Sequence, residues 1–237
     1  MKILFSKITL FFLISIKISF CQSWQQSNLD DAYKNELYLE NIALKERIAN
    51  FPPEAKIINA EISQFVKVEN YKKALELVNE LETILPNNSD VKNFKAKMYY
   101  KLNNNELAVK LFDEAIQLNP NNKWFYINKV GLLSEINKSI EAIEVVNQLI
   151  EIEKNWSIAY NLKASILIIL DKKEEALLLY EKATKLYPES ALIFTNRGDL
   201  YSEMNDKDNA VSSYKSALKI QPNYLLAKQK LDAILRN

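Results

Sequence analysis

Residues 191–224 read ALIFTNRGDLYSEMNDKDNAVSSYKSALKIQPNY, and this stretch decides the fold. Its apolar side chains follow a helical pattern, and it ends in the polar turn Gln221-Pro222-Asn223. Proline cannot continue a helix and biases the preceding residue away from helical geometry, so Pro222 marks a helix end. We therefore interpret the stretch as a pair of amphipathic helices that closes at a proline turn.

The same unit recurs towards the N-terminus. Prolines in equivalent polar turns occupy positions 86, 120, 188 and 222, so successive prolines are one, two and one unit lengths apart. The member that this spacing omits falls at Lys154. A fixed period, here the 34 residues from Pro86 to Pro120, is the sequence signature of stacked repeats. We predict five consecutive units, at residues 55–88, 89–122, 123–156, 157–190 and 191–224.

One small residue keeps its place in every unit. Position 20 is alanine five times, and larger apolar residues occupy positions 11 and 24. Two antiparallel helices approach closely only where side chains are small, and larger side chains then fill the neighbouring grooves. The alternative is unrelated amphipathic helices that contain alanine by chance, which five occurrences at one interval argue against. The alanines predicted to pack at each helix crossing are Ala74, Ala108, Ala142, Ala176 and Ala210.

These units resemble the tetratricopeptide repeat family. The last unit carries the family signature as Phe194, Gly198, Tyr201, Ala210, Tyr214, Ala217 and Pro222. The fourth carries it as Tyr160, Ala164, Leu167, Ala176, Tyr180, Ala183 and Pro188. Ile58 and Lys92 depart from the pattern, because they replace the signature aromatic in the first and second units. The resemblance implies an all-α fold, a right-handed superhelical solenoid of helix-turn-helix repeats with capping helices.

Segments on both sides of the repeats are expected to close the solenoid. Terminal repeats have no neighbour and need polar-faced caps. Residues 22–54 are predicted to contain a capping helix that ends before Phe51-Pro52-Pro53. Residues 225–237 are predicted to form the C-terminal capping helix.

Residues 1–21 are typical of an export signal. A basic start and an apolar run at positions 8–16 precede Ser19-Phe20-Cys21, which suits cleavage before Gln22. The run is far shorter than the roughly 20 residues that cross a bilayer. We expect an exported protein, periplasmic or secreted. One alternative is a membrane-anchored lipoprotein with a lipid on Cys21, against which the bulky Phe20 argues. The other is an uncleaved anchor, which Lys17 disfavours.

Composition argues against catalysis. The chain includes no histidine, one cysteine and two glycines. Without histidine it lacks the commonest general base and metal ligand, and it has no phosphate-binding glycine loop and no Ser/His/Asp set. The 31 basic and 30 acidic side chains balance, so no basic surface for nucleic acid is indicated. We predict that the protein is not an enzyme, has no cofactor or metal site and binds no nucleic acid. We expect contact with a membrane only through a lipid on Cys21.

The family resemblance implies a binding groove. In this family, positions 2, 5, 9 and 12 of each first helix line a concave surface that holds a protein or peptide. Amides mixed with apolar side chains suit an extended or helical partner segment. Tyr100 and Trp124 are the predicted affinity anchors, with packing between repeats as the alternative for Trp124. The candidate groove residues are Asn59, Ser63, Asn93, Lys97, Tyr100, Trp124, Ile127, Asn161, Ser165, Thr195 and Asp199.

Taken together, these features favour an exported scaffold that binds a protein or peptide partner in its groove. The alternative is a structural subunit of a cell-envelope assembly, with or without a lipid anchor. A large exposed apolar patch on the convex side would favour that alternative.

Overall fold

The computed structural model describes residues 29–236, and all regular secondary structure in that range is helical. The predicted all-α class is therefore confirmed for this part of the chain. The predicted export signal, with Cys21, lies outside the described residues. The helices are α1 (Asp31–Ala49), α2 (Pro53–Lys67), α3 (Tyr71–Ile84), α4 (Ser89–Lys101), α5 (Asn105–Leu118), α6 (Lys123–Glu135), α7 (Ser139–Ile152), α8 (Ser157–Ile169), α9 (Lys173–Leu186), α10 (Ala191–Glu203), α11 (Lys207–Ile220) and α12 (Leu225–Arg236).

A left-handed residue joins the two helices of every predicted repeat. Five non-glycine residues have φ between 58° and 62°, and each occupies the same position of its repeat. The next residue along each time donates its amide to the carbonyl five residues earlier, at 2.8–2.9 Å. This is the Schellman arrangement that ends a helix. The left-handed residues are Glu69, Asn103, Asn137, Asp171 and Asn205.

Asparagine side chains begin the helices of the N-terminal repeats. Asn70, Asn88, Asn104 and Asn122 each accept a hydrogen bond from a backbone N–H two or three residues further on. These bonds satisfy donors that have no partner within the helix.

The ends of the second helices do not depend on proline. Helix α11 stops at Ile220, directly before the turn that contains Pro222. Helix α7 stops at the equivalent Ile152, although Lys154 replaces the proline there. Proline therefore marks the helix end in the sequence without being required for it.

The small residues of the repeat lie in the core. All five alanines at position 20 are 0% exposed. The larger residues at position 24, from Val78 to Tyr214, are at most 2% exposed. At Gly198, an added Cβ would lie 2.6 Å from Cε1 of Tyr214, so the ring occupies the space that a side chain would need. Each repeat therefore buries small residues where its two helices meet.

An ion-pair cluster occupies the place of the missing aromatic in the second repeat. The Lys92 ammonium lies 2.7 Å from a carboxylate oxygen of Glu82 on α3 and 2.7 Å from one of Glu114 on α5. Lys95 also pairs with Glu82, at 2.6 Å. Burial alone would raise the pKa of Glu82, but the hydrogen bonds from Lys92 and Lys95 hold it below its usual value. The departure at Lys92 thus replaces apolar packing by charge pairing across three helices.

The described residues divide into two compact units. One contains residues 45–152, with helices α2–α7 packed in chain order. The other contains residues 29–44 and 153–236, with helices α8–α12 packed in chain order. Helix α1 begins in the second unit, and its last residues belong to the first. Among the helices of residues 29–236, none has both the length and the apolar character that crossing a bilayer requires.

Candidate functional site

Two of the predicted groove asparagines, both buried, form amide pairs with half-buried asparagines of the next repeat. The Oδ1 atom of Asn93 accepts a hydrogen bond of 2.9 Å from Nδ2 of Asn128. In the other unit, Oδ1 of Asn161 accepts one of 2.9 Å from Nδ2 of Asn196. Each pair joins position 5 of one repeat to position 6 of the next. Because Asn93 and Asn161 are buried and their acceptor oxygens are used, these amides brace neighbouring repeats.

Tyr100, predicted as an anchor, is tied to the following repeat in the same way. Its hydroxyl donates a hydrogen bond to the carboxylate of Glu135. The other carboxylate oxygen of Glu135 is buried and has no hydrogen-bond partner within residues 29–236. Burial raises the pKa of Glu135, although the Tyr100 hydroxyl and the charge of Lys101 oppose the shift. Lys101 also lies 5.5 Å from the centroid of the Tyr100 ring, a cation–π contact.

Trp124 and Ile127 lie in the interior of the structure. Their exposed fractions are 6% and 4%, and the Trp124 amide donates to Oδ1 of Asn122, which begins helix α6. A binding anchor must be reachable from solvent before the partner arrives. The burial therefore favours the packing interpretation of Trp124 over its predicted role as an anchor.

Three predicted groove residues of the first two repeats are partly exposed. Asn59, Ser63 and Lys97 are all half-buried. The Ser63 hydroxyl donates to the backbone carbonyl of Asn59 at 3.0 Å, as serines commonly do within a helix. Together with the half-buried Tyr100, these residues form the accessible part of the predicted groove in the first unit.

The other predicted groove residues of the fourth and fifth repeats, besides Asn161, each make a contact within their own repeat. The Thr195 side chain is fully buried and donates to the backbone carbonyl of Ala191. The Ser165 hydroxyl lies 3.2 Å from the hydroxyl of Tyr180. One carboxylate oxygen of Asp199 accepts from the hydroxyl of Tyr214 at 2.7 Å, and Lys230 pairs with the other at 3.0 Å. The contacts of Ser165 and Asp199 lock the two helices of a repeat together.

The start of α1 contributes a carboxylate to a contact within the second unit, and the sequence did not indicate this contact. Asp30 is 0% exposed. Its Oδ1 accepts from the amide of Tyr33 at 2.9 Å and so caps α1. Its Oδ2 accepts from the hydroxyl of Ser190 at 2.7 Å and from the amide of Leu192 at 2.9 Å, both at the start of α10. One carboxylate therefore caps two helices, where their dipoles favour negative charge.

Further contacts hold the same segment against the turns of this unit. The indole nitrogen of Trp156, directly before α8, donates to the Glu36 carboxylate at 3.2 Å. The amide of Asp31 donates to the side chain of Gln221, directly after α11, at 3.1 Å. Tyr33 is buried, and burial together with the charges of Asp30 and Glu36 raises its pKa. We call the residues that receive this segment, Trp156, Ser190, Leu192 and Gln221, the turn surface.

The last turn of α1 makes an ion pair within the first unit. Arg47 donates from both Nε and Nη2 to the carboxylate of Asp90, at 2.8 and 3.1 Å. Asp90 is buried at the start of α4, so the pair is bidentate and partly shielded from water. The capping role predicted for this helix remains a prediction, and the helix also makes these polar contacts with later repeats. For the Asp30 cap one local signal was available, because an aspartate directly before a helical segment is a common helix cap.

Within residues 29–236 there is no group of three or more His, Cys, Asp and Glu side chains that could hold a metal ion. Most of the polar side chains at the predicted groove pair with side chains outside the groove or with the backbone.

Comparison with known families identifies the repeats. Two family models, both described as tetratricopeptide repeat, match the chain, one at residues 158–190 and 191–224 and the other at residues 99–166. Together they cover residues 99–224, more than half of the sequence. The chain is a tetratricopeptide repeat protein. This family is a non-enzymatic, protein-interaction type, so the chain is an interaction scaffold and not an enzyme.

Solved structures support the fold assignment of this tetratricopeptide repeat protein. MamA 41-end from Desulfovibrio magneticus RS-1 matches with a TM-score of 0.60 and 18% identity, over 73% of this chain and 97% of that one. YrrB, described as a TPR protein with an unusual peptide-binding site, gives 0.55 and 18%, over 80% and 95%. TTC0263 from Thermus thermophilus gives 0.58 and 15%, over 77% and 100%. At these identities the likeness concerns the fold. The comparison with curated proteins found no match.

Proposed function

We propose that this tetratricopeptide repeat protein binds a protein or peptide segment on the first helices of its first two repeats. The supporting observation is that the predicted groove residues there, Asn59, Ser63, Lys97 and Tyr100, are half-buried, whereas Trp124, Ile127 and Asn161 are buried. The described peptide-binding site of YrrB, which shares the fold, is consistent with a peptide ligand.

Asn59 is the best-placed amide for such a ligand. Its side chain makes no hydrogen bond within residues 29–236, while the equivalent Asn93 is occupied by Asn128. An amide on a rigid helix can pair with the backbone of an extended segment, and a nearby ammonium and aromatic ring can add affinity. Lys97 and Tyr100, on α4, supply these two groups.

The test is affinity capture of partners from an extract of the native host. The variant Asn59→Ala/Lys97→Ala is expected to retain at least tenfold less partner than the wild type. The matched control is Asn79→Ala/Lys110→Ala, which removes the same side-chain types from exposed positions on the second helices α3 and α5. Equal recovery by the two double variants would show that the partner does not bind on these first helices.

We also propose that the scaffold is exported, on the basis of the basic start, apolar run and cleavage pattern of residues 1–21. Mass spectrometry of the mature protein is expected to find an N-terminus at Gln22. A lipid on Cys21 would instead indicate a membrane-anchored lipoprotein, and an intact N-terminus would contradict cleavage. A stable role in an envelope assembly would be recognised if the partner stays bound in fixed stoichiometry through purification.

A further inference from the structure

The start of α1 lies on the turn surface, and the contacts show which side chains this surface binds. Residues 30–36 lie far along the chain from the residues that they contact, so chain connectivity alone does not place them there. Asp30 is the centre of the contact, since both of its oxygens accept hydrogen bonds and its side chain is fully buried. A buried carboxylate is tolerated only when such bonds replace its lost hydration.

The receiving side is built for a carboxylate. The Ser190 hydroxyl donates to Oδ2 of Asp30 and accepts from the amide of Ile193, so it is fixed as a donor towards the acid. The amide of Leu192 supplies a second donor, and the α10 helix dipole favours the charge. Trp156, directly before a different helix, is an independent donor that reaches Glu36.

The α1 side chains that define this contact recur at every third residue. Asp30, Tyr33 and Glu36 are neighbours on one side of the helix start, since residues at i and i+3 share a helix face. Tyr38 and Leu39, further along, are 57% and 52% exposed. The polar contacts with the turn surface therefore come from the beginning of the helix, so a competing helix needs only the same beginning to make them.

We propose that the turn surface is a binding site for the acid-capped start of a partner protein's helix, of the pattern Asp-x-x-Tyr-x-x-Glu, which residues 30–36 of the same chain occupy in this structure. The inference rests on the proposed scaffold function and names a partner class for a second surface. The tethered segment competes at an effective concentration on the order of millimolar, so the free partner helix binds only when it displaces it.

The test uses the full chain and a fluorescent peptide of residues 29–44, with binding followed by anisotropy. Asp30→Ala in the protein weakens the tethered segment, and it is expected to lower the peptide's Kd by about tenfold or more relative to the wild type, because the lost bonds are to a charged group. Asp31→Asn is the matched control, since this neighbouring carboxylate is 74% exposed and pairs with Lys34. It is expected to leave the Kd unchanged.

The peptide itself supplies the complementary measurement. A peptide carrying Asp30→Ala is expected to bind the Asp30→Ala protein at least tenfold more weakly than the parent peptide, and Ser190→Ala added to the protein is expected to have a similar effect. If the Asp30→Ala protein loses helical circular dichroism, Glu36→Ala, which keeps the cap, is expected to strengthen parent-peptide binding instead. Equal affinity of the two peptides, or no gain from freeing the site, overturns the proposal. Because no host partner is needed, these outcomes are independent of the capture experiment on α2 and α4.

Discussion

Replacing Gly198 with alanine puts a methyl group against the ring of Tyr214. The new Cβ would lie 2.6 Å from Cε1 and 2.8 Å from Cδ1, whereas carbon atoms pack at about 3.5–4.0 Å. The ring cannot turn aside freely, since Tyr214 is buried and its hydroxyl donates to Asp199 at 2.7 Å. The two helices of the fifth repeat must therefore move apart, or the hydrogen bond must break.

Two opposing effects set the magnitude. Alanine is favoured over glycine within a helix by about 1 kcal/mol. Overpacking of a filled core costs about 1–3 kcal/mol. We expect a net loss of about 1 kcal/mol in the free energy of unfolding, and a melting temperature lower by about 2–4 °C, the shift expected for a chain of this size.

The assay is a double-mutant cycle followed by circular dichroism during urea unfolding. The partner substitution is Tyr214→Val, because valine stands at position 24 of the first and third repeats, where position 8 is Ile62 and Val130. Tyr214→Val removes the ring, so Gly198→Ala is expected to become neutral or stabilising in that background. The coupling should reach about 1–3 kcal/mol. An identical effect of Gly198→Ala in both backgrounds would refute the steric explanation.

Three further changes test the turns and the charges. Glu69→Gly is expected to stabilise the protein by about 1 kcal/mol in urea unfolding, because φ is 58° there, and by more than Asn103→Gly, since asparagine tolerates this region; no gain would contradict the strain. Lys92→Met is expected to cost about 1 kcal/mol at pH 7. Because folding lowers the pKa of Glu82, the stability that Glu82 contributes is present above its unfolded pKa and is lost as pH falls through its folded pKa. The stability difference between Lys92→Met and the wild type should therefore shrink at pH 3. A difference that stays constant with pH would exclude the cluster. Glu135→Gln should show the opposite pH dependence. Burial raises the pKa of Glu135, so the wild type loses stability as pH rises through the folded pKa. The stability of Glu135→Gln relative to the wild type should therefore increase between pH 4 and pH 8. Parallel stability curves would contradict that burial.

The helical pairs could be predicted because their causes are local and repeat. Alanine at a fixed interval and proline after most second helices report steric requirements that recur in every unit. The left-handed residue at position 15 is less visible, because asparagine and aspartate mark it in four repeats but Glu69 does not. At Lys154 the expected proline is missing, yet α7 ends at Ile152 as its counterparts do, so backbone geometry and packing suffice there.

The contacts of α1 could not be predicted in the same way. Asp30 bonds to Ser190 and Leu192, most of the chain away, and nothing near Asp30 in the sequence specifies that distance. The repeat pattern describes only neighbours within and between units, whereas α1 lies outside the pattern. Its cap residue was readable from the local sequence, but its second role depends on tertiary structure.

Three polar pairs of the predicted groove follow a rule that the sequence does contain. Asn93 with Asn128, Tyr100 with Glu135, and Asn161 with Asn196 share one separation, a single position longer than the repeat. Side chains on first helices at that separation are therefore neighbours, and each candidate must be judged with its partner.

Applied to Asn59, the same rule gives Phe94, which cannot pair with an amide. Asn59 consequently keeps its hydrogen-bonding capacity for a ligand, whereas Asn93 and Asn161 use theirs to hold repeats together. A substitution that gives Asn59 a partner, Phe94→Asn, would add an amide pair but remove a buried ring. For this reason Asn59→Ala, which leaves the core intact, is the sharper measure of binding.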